Sequence, residues 1–366
     1  MSETPAIGAS GLPGKRVDAQ RAGITITDRM TDGDSSGARS ILRMSIALAA
    51  LVVFTAVFAF LHRTYSRKFF DITGGAQWIW AQHPMSANVP VAFFAARDFD
   101  LPASRVYTHL KLVGEPEYTL YVNGREVAGR QVGVDDKTLD LYDISELVQT
   151  GRNRIVVAVR APVGLGGLLG SIDLAPETEN WVVTDRSWKI YRRWSPELLQ
   201  HDVPDLPADT PLIIGEPPVG RWNYLGAVQR EASTPPSSAV APQETFSVIG
   251  SIPTIRNEAG IAVAGAARSR ATAFDFGFTK GRVRLAIDSD GIMSRIVNLR
   301  FANARDELEL LEPNLRAVVF APGERVVTTP EEHAFRYLMV FGRGNMGAEV
   351  LRASTNVVEQ SVAASR

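Results

Sequence analysis

The chain of 366 residues contains no cysteine, which excludes disulfide bridges, thiolate metal sites and cysteine nucleophiles. Its 5 histidines are scattered, and no pair has the spacing typical of metal ligands. The 39 lysines and arginines are balanced by 40 aspartates and glutamates, so there is no net charge to attract nucleic acid. We therefore expect no metal, no cofactor and no nucleic-acid partner.

Long uncharged runs are also rare, and only one is long enough to cross a bilayer. Residues 44–61 read MSIALAALVVFTAVFAFL and carry no charge. As a helix this run is about 27 Å long, close to the thickness of the hydrocarbon core. A cleaved signal peptide is the alternative, but the run follows a long polar tail, and no small-x-small cleavage pattern comes after it. The sequence predicts a single transmembrane helix over residues 41–63.

The rest of the chain has the residue patterns typical of β-strands. Short runs rich in Val, Ile, Tyr and Phe recur between Gly, Asn, Asp and Pro, as in YTLYVNGREVAG. Asn123-Gly124 in that segment lies between two alternating runs and predicts a type I′ hairpin turn. The glycine of FDFG, Gly277, is expected to interrupt a strand where it bends.

These patterns predict an all-β protein with two β-sandwich, jelly-roll-like domains behind a single N-terminal transmembrane helix. The segment between the domains is rich in proline and reads as a crossing segment. The predicted parts are a disordered polar tail (1–40), the helix (41–63), a jelly-roll domain (70–200), the crossing segment (201–255), a second β-sandwich (256–345) and a C-terminal tail (346–366).

An ordered series of segments resembles one known family. It includes AQWIWA, FFAARDFDLPA, YTLYVNGREV and VVTDRSWKI, and later FDFGFTKGRVRLAI and EEHAFRYLMVFG. The first four are similar to the galactose-binding-like jelly roll at the front of bacterial α-L-rhamnosidases. The last two are similar to the β-sandwich that follows it. In that family the catalytic carboxylates sit mainly in a later α-helical barrel, and this chain ends at Arg366, so the resemblance implies accessory modules and no enzyme.

Glycoside hydrolysis needs two carboxylates about 5–10 Å apart, and three carboxylate pairs in the sequence are candidates. The candidates are Glu115 with Glu117, Asp135 with Asp136, and Glu331 with Glu332; each pair reads more simply as solvated loop charge. The run DSDG at 288–291 lacks the rest of a calcium-binding loop and reads as a tight turn. We expect a protein without catalytic activity.

Aromatic side chains offer the best sugar-binding candidates, because sugar rings stack on exposed aromatic faces. Trp78 and Trp80 alternate with Ile79 on a strand and are expected to pack in the core. Trp222 and Tyr224 stand in the sequence RWNY within a Pro- and Gly-rich segment. These two residues are predicted to bind a glycan or a protein partner.

Two functions fit this reading. The first is a membrane-anchored protein that binds glycan without cleaving it. The second is an accessory or scaffold subunit of a larger membrane complex, since small residues such as Ala49, Ala56 and Ala59 permit close helix packing. Basic residues flank the helix on both sides, so the positive-inside rule does not decide how the helix is oriented in the membrane. The orientation is taken instead from the resemblance of the later domains to secreted modules. We expect a cytoplasmic N-terminus and periplasmic domains on the bacterial inner membrane.

Overall fold

The computed structural model describes residues 33–82, 89–101, 107–133, 135–136, 138–175, 178–200, 206–220, 226–233, 236–258, 261–288, 291–309, 315–342 and 344–353. The chain divides into two compact units, Met1–His62 and Arg63–Arg366. The predicted glycan-binding residues Trp222 and Tyr224 lie outside the described residues.

Helix α1 spans Gly33–Thr73. Within it, Ile41–Arg63 has a mean hydropathy of 2.6 and no buried side chains, so its length and composition suffice to cross a membrane. The helix includes residues 33–40, which were predicted to be disordered; extending an existing helix costs far less than starting one. At its other end, Ile72 packs against the core of the second unit.

The first sandwich contains two facing sheets. Its strands are β1 (Trp78–Trp80), β2 (Val91–Leu101), β3 (Tyr107–Glu115), β4 (Glu117–Val122), β5 (Arg125–Gln131), β6 (Thr138–Asp143), β7 (Gly151–Ala161), β8 (Gly167–Ala175), β9 (Thr178–Val183), β10 (Lys189–Tyr191), β11 (Leu212–Gly215) and β12 (Gly226–Arg230). One sheet has the order β11-β1-β8-β3-β6-β12 with β9 on β8, and the other has the order β10-β2-β7-β4-β5. A 3₁₀ turn, Pro196–Leu199, follows β10.

The second sandwich is one sheet that folds over along its longest strand. Its strands are β13 (Pro236–Val240), β14 (Glu244–Glu258), β15 (Ile261–Ile287), β16 (Arg295–Ala302), β17 (Arg316–Phe320), β18 (Val326–Thr328), β19 (His333–Phe341) and β20 (Met346–Ala353). Residues 261–275 of β15 pair with β14, residues 272–281 pair with β19, and residues 282–287 pair with β18 and β20. A 3₁₀ turn, Asp306–Glu309, follows β16.

The predicted fold class is therefore confirmed, and several local predictions hold with it. Trp78 and Trp80 are fully buried in the core of the first sandwich. Asn123 and Gly124 both have positive φ, 48° and 81°, as a type I′ turn requires. The Asn123 side chain holds this turn, because its Nδ2 donates to the carbonyl of Leu147 at 2.9 Å and its Oδ1 accepts from the Arg154 N–H at 2.8 Å.

The Pro-rich segment contributes strands to both sandwiches. Strand β11 pairs with β1, and β12 pairs in parallel with β6 at the far edge of the same sheet. Strands β13 and β14 belong to the second sandwich. Residues 346–353, placed in the predicted C-terminal tail, form β20 and pair with β13 and β15. Backbone pairing, which residue composition does not report, places these segments in the sheets.

An apolar contact joins the two sandwiches. The outer face of the β2–β7 pair also carries apolar residues, and Phe94 and Ala158 pack there with Val319 and Ala321. The backbone N–H of Trp194 also donates to the carbonyl of Pro322 at 2.7 Å. A strand buried on both faces reads as a continuous apolar run, which is the pattern of VAFFAA in β2.

Buried ion pairs cross the same contact. Arg160 of β7 pairs with Glu324, which follows β17, and both side chains are buried. Arg316 of β17 pairs with Glu117 of β4 at 2.6 Å. Burial raises the pKa of both glutamates, against the lowering effect of their arginine partners. The prediction that Glu117 is a solvated loop charge was wrong, because the second sandwich covers it.

Removing one partner of the Arg160–Glu324 pair should destabilise the whole unit. We expect Arg160→Met to lower the free energy of unfolding by about 3–5 kcal/mol, because Glu324 would remain buried and unpaired. The double variant Arg160→Met/Glu324→Leu should recover most of this loss. Urea unfolding of the full chain in mild detergent, followed by tryptophan fluorescence, measures both.

The exposed pair Arg284–Glu349 provides the control. Arg284→Met should cost less than about 1 kcal/mol, since exposed pairs contribute little. Equal losses for Arg160→Met and Arg284→Met would contradict a structural role for the buried pair.

Candidate functional site

A bulge in β15 creates the most exposed aromatic side chain of the described sandwiches. Opposite β19, Asp275 pairs with Tyr337 and Thr279 pairs with Phe335, so three residues of β15 face a single residue of β19. Gly277 lies in the middle with φ of 66°, and its N–H donates to Asp275 Oδ1 at 2.8 Å. The strand itself continues through Gly277, but its pairing with β19 is interrupted at the position predicted from FDFG.

The bulge changes which side chains face the core. Before it, Phe274 and Phe276 are buried; after it, the inward positions are the odd-numbered residues from Val283 to Ile287. Phe278 would share a face with Phe276 in a regular strand, but here 74% of it is exposed. A local backbone feature has thus turned a core-type residue toward solvent.

Arg336 holds the surroundings of the Phe278 ring. Its Nη2 and Nε donate to the two carboxylate oxygens of Asp275 at 3.1 and 3.3 Å. Its guanidinium carbon lies 6.0 Å from the Phe278 ring centroid and 4.9 Å from that of Tyr337. Burial acts to raise the pKa of Asp275, but the hydrogen bonds from Arg336 and Gly277 outweigh it and lower that pKa. Asp275 is therefore ionised at neutral pH and fixes Arg336.

Phe278 stands at a cavity of about 670 Å³ whose lining combines apolar surface with five polar or charged side chains. Lys280 and Glu332 form an exposed ion pair with an Nζ–Oε2 distance of 3.4 Å. Arg352 donates to Thr279 Oγ1 from Nε at 3.1 Å and from Nη2 at 2.9 Å. The cavity is lined by Phe278, Thr279, Lys280, Asn303, Glu332, Ala334, Phe335, Arg352 and Ala353. An aromatic face beside ammonium, carboxylate, amide and guanidinium groups suits a polyhydroxylated ligand.

A second cavity of about 750 Å³ opens near the ends of β18 and β20. Its lining is mostly apolar and includes Pro242, Val326 and Met346. The Arg284–Glu349 pair stands at this cavity with an Nη1–Oε2 distance of 3.5 Å. The aromatic residue of this lining, Phe274, is buried, so the cavity lacks the exposed ring that Phe278 provides.

The buried Asp140 cluster is a structural network. Asp140 is fully buried and accepts hydrogen bonds from Tyr118 at 2.5 Å, Arg130 at 2.6 and 2.7 Å, and Arg230 at 2.9 Å. Burial raises the pKa of the neighbouring Tyr142 to about 12. Because the Asp140 carboxylate already accepts four hydrogen bonds from three donor groups, the cluster ties β4, β5, β6 and β12 together rather than binding a ligand.

The remaining sequence candidates have mixed outcomes. Glu115 is buried, as Glu117 is, while Glu331 and Glu332 are exposed as predicted. Among the described residues, no group of three or more His, Asp or Glu side chains could hold a metal ion. Phe278 was not singled out from the sequence, since strand alternation predicts that it is buried with Phe276.

Comparison with known proteins finds similar solved structures at low identity. No family model matches the chain, and no curated protein sequence matches it. An α-L-rhamnosidase from Dictyoglumus thermophilum matches with a TM-score of 0.45 and 16% identity, covering 77% of this chain and 36% of that chain. The α-L-rhamnosidase from Aspergillus terreus matches with a TM-score of 0.48 and 16% identity, covering 76% and 36%.

A lectin from Pleurotus ostreatus, solved in complex with GalNAc, matches with a TM-score of 0.36 and 16% identity, covering 76% of this chain and 77% of that one. This chain spans about a third of the length of those rhamnosidases.

Replacing the glycine of the bulge should disturb the site. In Gly277→Ala, residue 277 must keep a φ of 66°, which L-residues rarely adopt. The new Cβ would also lie 3.1 Å from Gln243 Nε2. We expect a loss of about 1–2 kcal/mol in the free energy of unfolding. Gly347→Ala is the control, because its Cβ would meet only Ala286 Cβ at 3.8 Å. Chemical denaturation of both variants measures the difference, and equal stabilities would show that the bulge does not require glycine.

Proposed function

We propose that this protein is a membrane-anchored, non-catalytic protein that binds glycan at the cavity beside Phe278. The observation that carries the proposal is the Phe278 ring, 74% exposed and standing at a cavity that five polar or charged side chains also line. A large aromatic side chain held in solvent by a backbone bulge forgoes burial that would have stabilised the fold. Stacking of a sugar ring on its face would restore that burial in the complex.

The polar lining suits the hydroxyl groups of a sugar. Lys280 supplies donors, Glu332 supplies acceptors and the Asn303 amide supplies both. The loop that carries Asn303 is held by its own backbone N–H, which donates to Glu307 Oε2 at 2.8 Å. Binding through several neutral and charged hydrogen bonds around one apolar face gives the specificity expected of a carbohydrate site.

The absence of a second carboxylate in the cavity supports a binding role. Glu332 is the only acidic residue among those that line it in the described part of the chain. Glycoside hydrolysis uses two carboxylates on either side of the scissile bond. A bound sugar would therefore be held without being cleaved.

The apolar part of helix α1 would anchor the protein in a membrane. The stretch Ile41–Arg63 would anchor the protein in the bacterial inner membrane, with the N-terminal tail in the cytoplasm and both sandwiches in the periplasm. An all-β unit without cysteine needs no disulfide and is compatible with that compartment.

Truncating the aromatic face should abolish sugar binding while leaving the fold intact. We expect Phe278→Ala, measured on a bacterial glycan array with full-length protein in mild detergent, to lose at least tenfold in affinity. Tyr107→Ala is the matched control, because Tyr107 is an exposed aromatic side chain that does not line the cavity. If neither the parent protein nor Tyr107→Ala binds any bacterial polysaccharide, the proposal is wrong.

The same assay tests the candidates taken from the sequence. If Trp222→Ala and Tyr224→Ala abolish binding while Phe278→Ala does not, the glycan site is the RWNY segment and the proposed cavity is wrong. Loss with Phe278→Ala alone assigns the site to the cavity.

A scaffold role is the second candidate. It is favoured by the loop before β16, where Ile292 is 87% exposed and Met293 is 64% exposed. Adjacent exposed apolar residues of this kind are typical of protein contacts. Affinity purification of the tagged protein from its own membranes, with mass spectrometry, should then recover a stoichiometric set of partners that Ile292→Ser/Met293→Ser releases. Recovery of the protein alone would count against this role.

A further inference from the structure

A third cavity, lined by polar side chains, lies in the first sandwich, far in sequence from the site at Phe278. It is small, about 90 Å³, and is lined by Ala96, Arg97, Asp98, Arg154, Ser187 and Lys189. Three of these residues are cationic and one is anionic, so the lining carries a net charge of about +2 at neutral pH. Its residues come from β2, β7 and β10, neighbouring strands of one sheet, and from the turn that precedes β10.

At this cavity the Asp98 carboxylate is shared by the guanidinium groups of Arg152 and Arg154. Asp98 Oδ2 lies 2.9 Å from Arg152 Nη2, and Asp98 Oδ1 lies 3.4 Å from Arg154 Nη1. Arg154 is only 4% exposed, so its charge is nearly removed from water while its carboxylate partner is distant and shared. A buried charge is stable only when it is well paired.

The guanidinium groups have hydrogen-bonding capacity to spare. Arg97 donates from Nη1 to the carbonyl of Ser187 at 3.1 Å, and Arg154 donates from Nη2 to the Tyr191 hydroxyl at 3.3 Å. The Nε atoms of Arg97 and Arg154 are buried and have no hydrogen-bond partner, and the same is true of Asp98 Oδ1. The cavity has about the volume of three water molecules, enough for one carboxylate, sulfate or phosphate group.

We propose that this cavity binds an oxyanion, a carboxylate, sulfate or phosphate group carried by a small molecule. Guanidinium groups recognise such groups through parallel charge-assisted hydrogen bonds. The anion would complete the pairing of Arg154, while Asp98 holds the arginines in place. Residues Arg97 and Lys189 would complete the contact from β2 and β10.

Equilibrium dialysis with radiolabelled sulfate tests the proposal directly, using the full chain in mild detergent at constant ionic strength. We expect one saturable site per chain. Arg97→Met/Lys189→Met should weaken sulfate binding at least tenfold without disturbing the buried Arg154. Arg186→Met is the matched control, because it removes an exposed positive charge next to Ser187 that does not line the cavity.

Competition identifies the group that the site prefers. Displacement of labelled sulfate by glucuronate, but not by glucose, would indicate a carboxylate carried by a sugar; displacement by phosphate alone would indicate a phosphoryl group. Non-saturable binding, or equal binding by the parent protein and Arg97→Met/Lys189→Met, would overturn the proposal. Phe278→Ala should leave sulfate binding unchanged, so the outcome is independent of the proposed glycan site.

Discussion

The buried ion pairs between the sandwiches constrain everything else in the folded unit. Arg160 and Glu324 are nearly removed from water, and Glu117 and Arg316 lie beside them across the same contact. Charges of this kind are tolerated only in one relative arrangement of the sheets, since sliding the sandwiches apart would leave each one unpaired. The apolar contact around Phe94 removes apolar surface of both sandwiches from water, and the ion pairs fix the relative arrangement of the two sandwiches.

In that fixed arrangement, two parts of the surface remain open as candidate binding sites, one on each sandwich. The sheet face that bears Phe94 is covered, while the same face near Asp98 stays open and collects positive charge around Arg154. On the second sandwich, the bulge at Gly277 turns Phe278 outward above polar side chains. Each candidate site therefore arises where a regular sheet pattern is interrupted, by a bulge or by the edge of a contact.

Local features of the sequence predicted local features of the structure. The Asn123-Gly124 turn, the buried Trp78 and Trp80, and the break at Gly277 each depend on neighbouring residues alone, and each prediction is confirmed. The exposure of Phe278 could not be foreseen, because alternation places it with Phe276, and only the backbone of the bulge reverses it. The Pro-rich segment misled for a similar reason, since its strands are held by partners far away in the chain.

The sequence by itself determined the all-β class, the apolar helix over Ile41–Arg63 and the positions of the turns, because periodicity, run length and glycine or asparagine at turns act over a few residues. Only the tertiary structure decided which charges are buried, which face of β2 is covered and where Phe278 points. Those outcomes depend on contacts between residues such as Arg160 and Glu324, which are distant in the chain and carry no mark of their pairing in sequence.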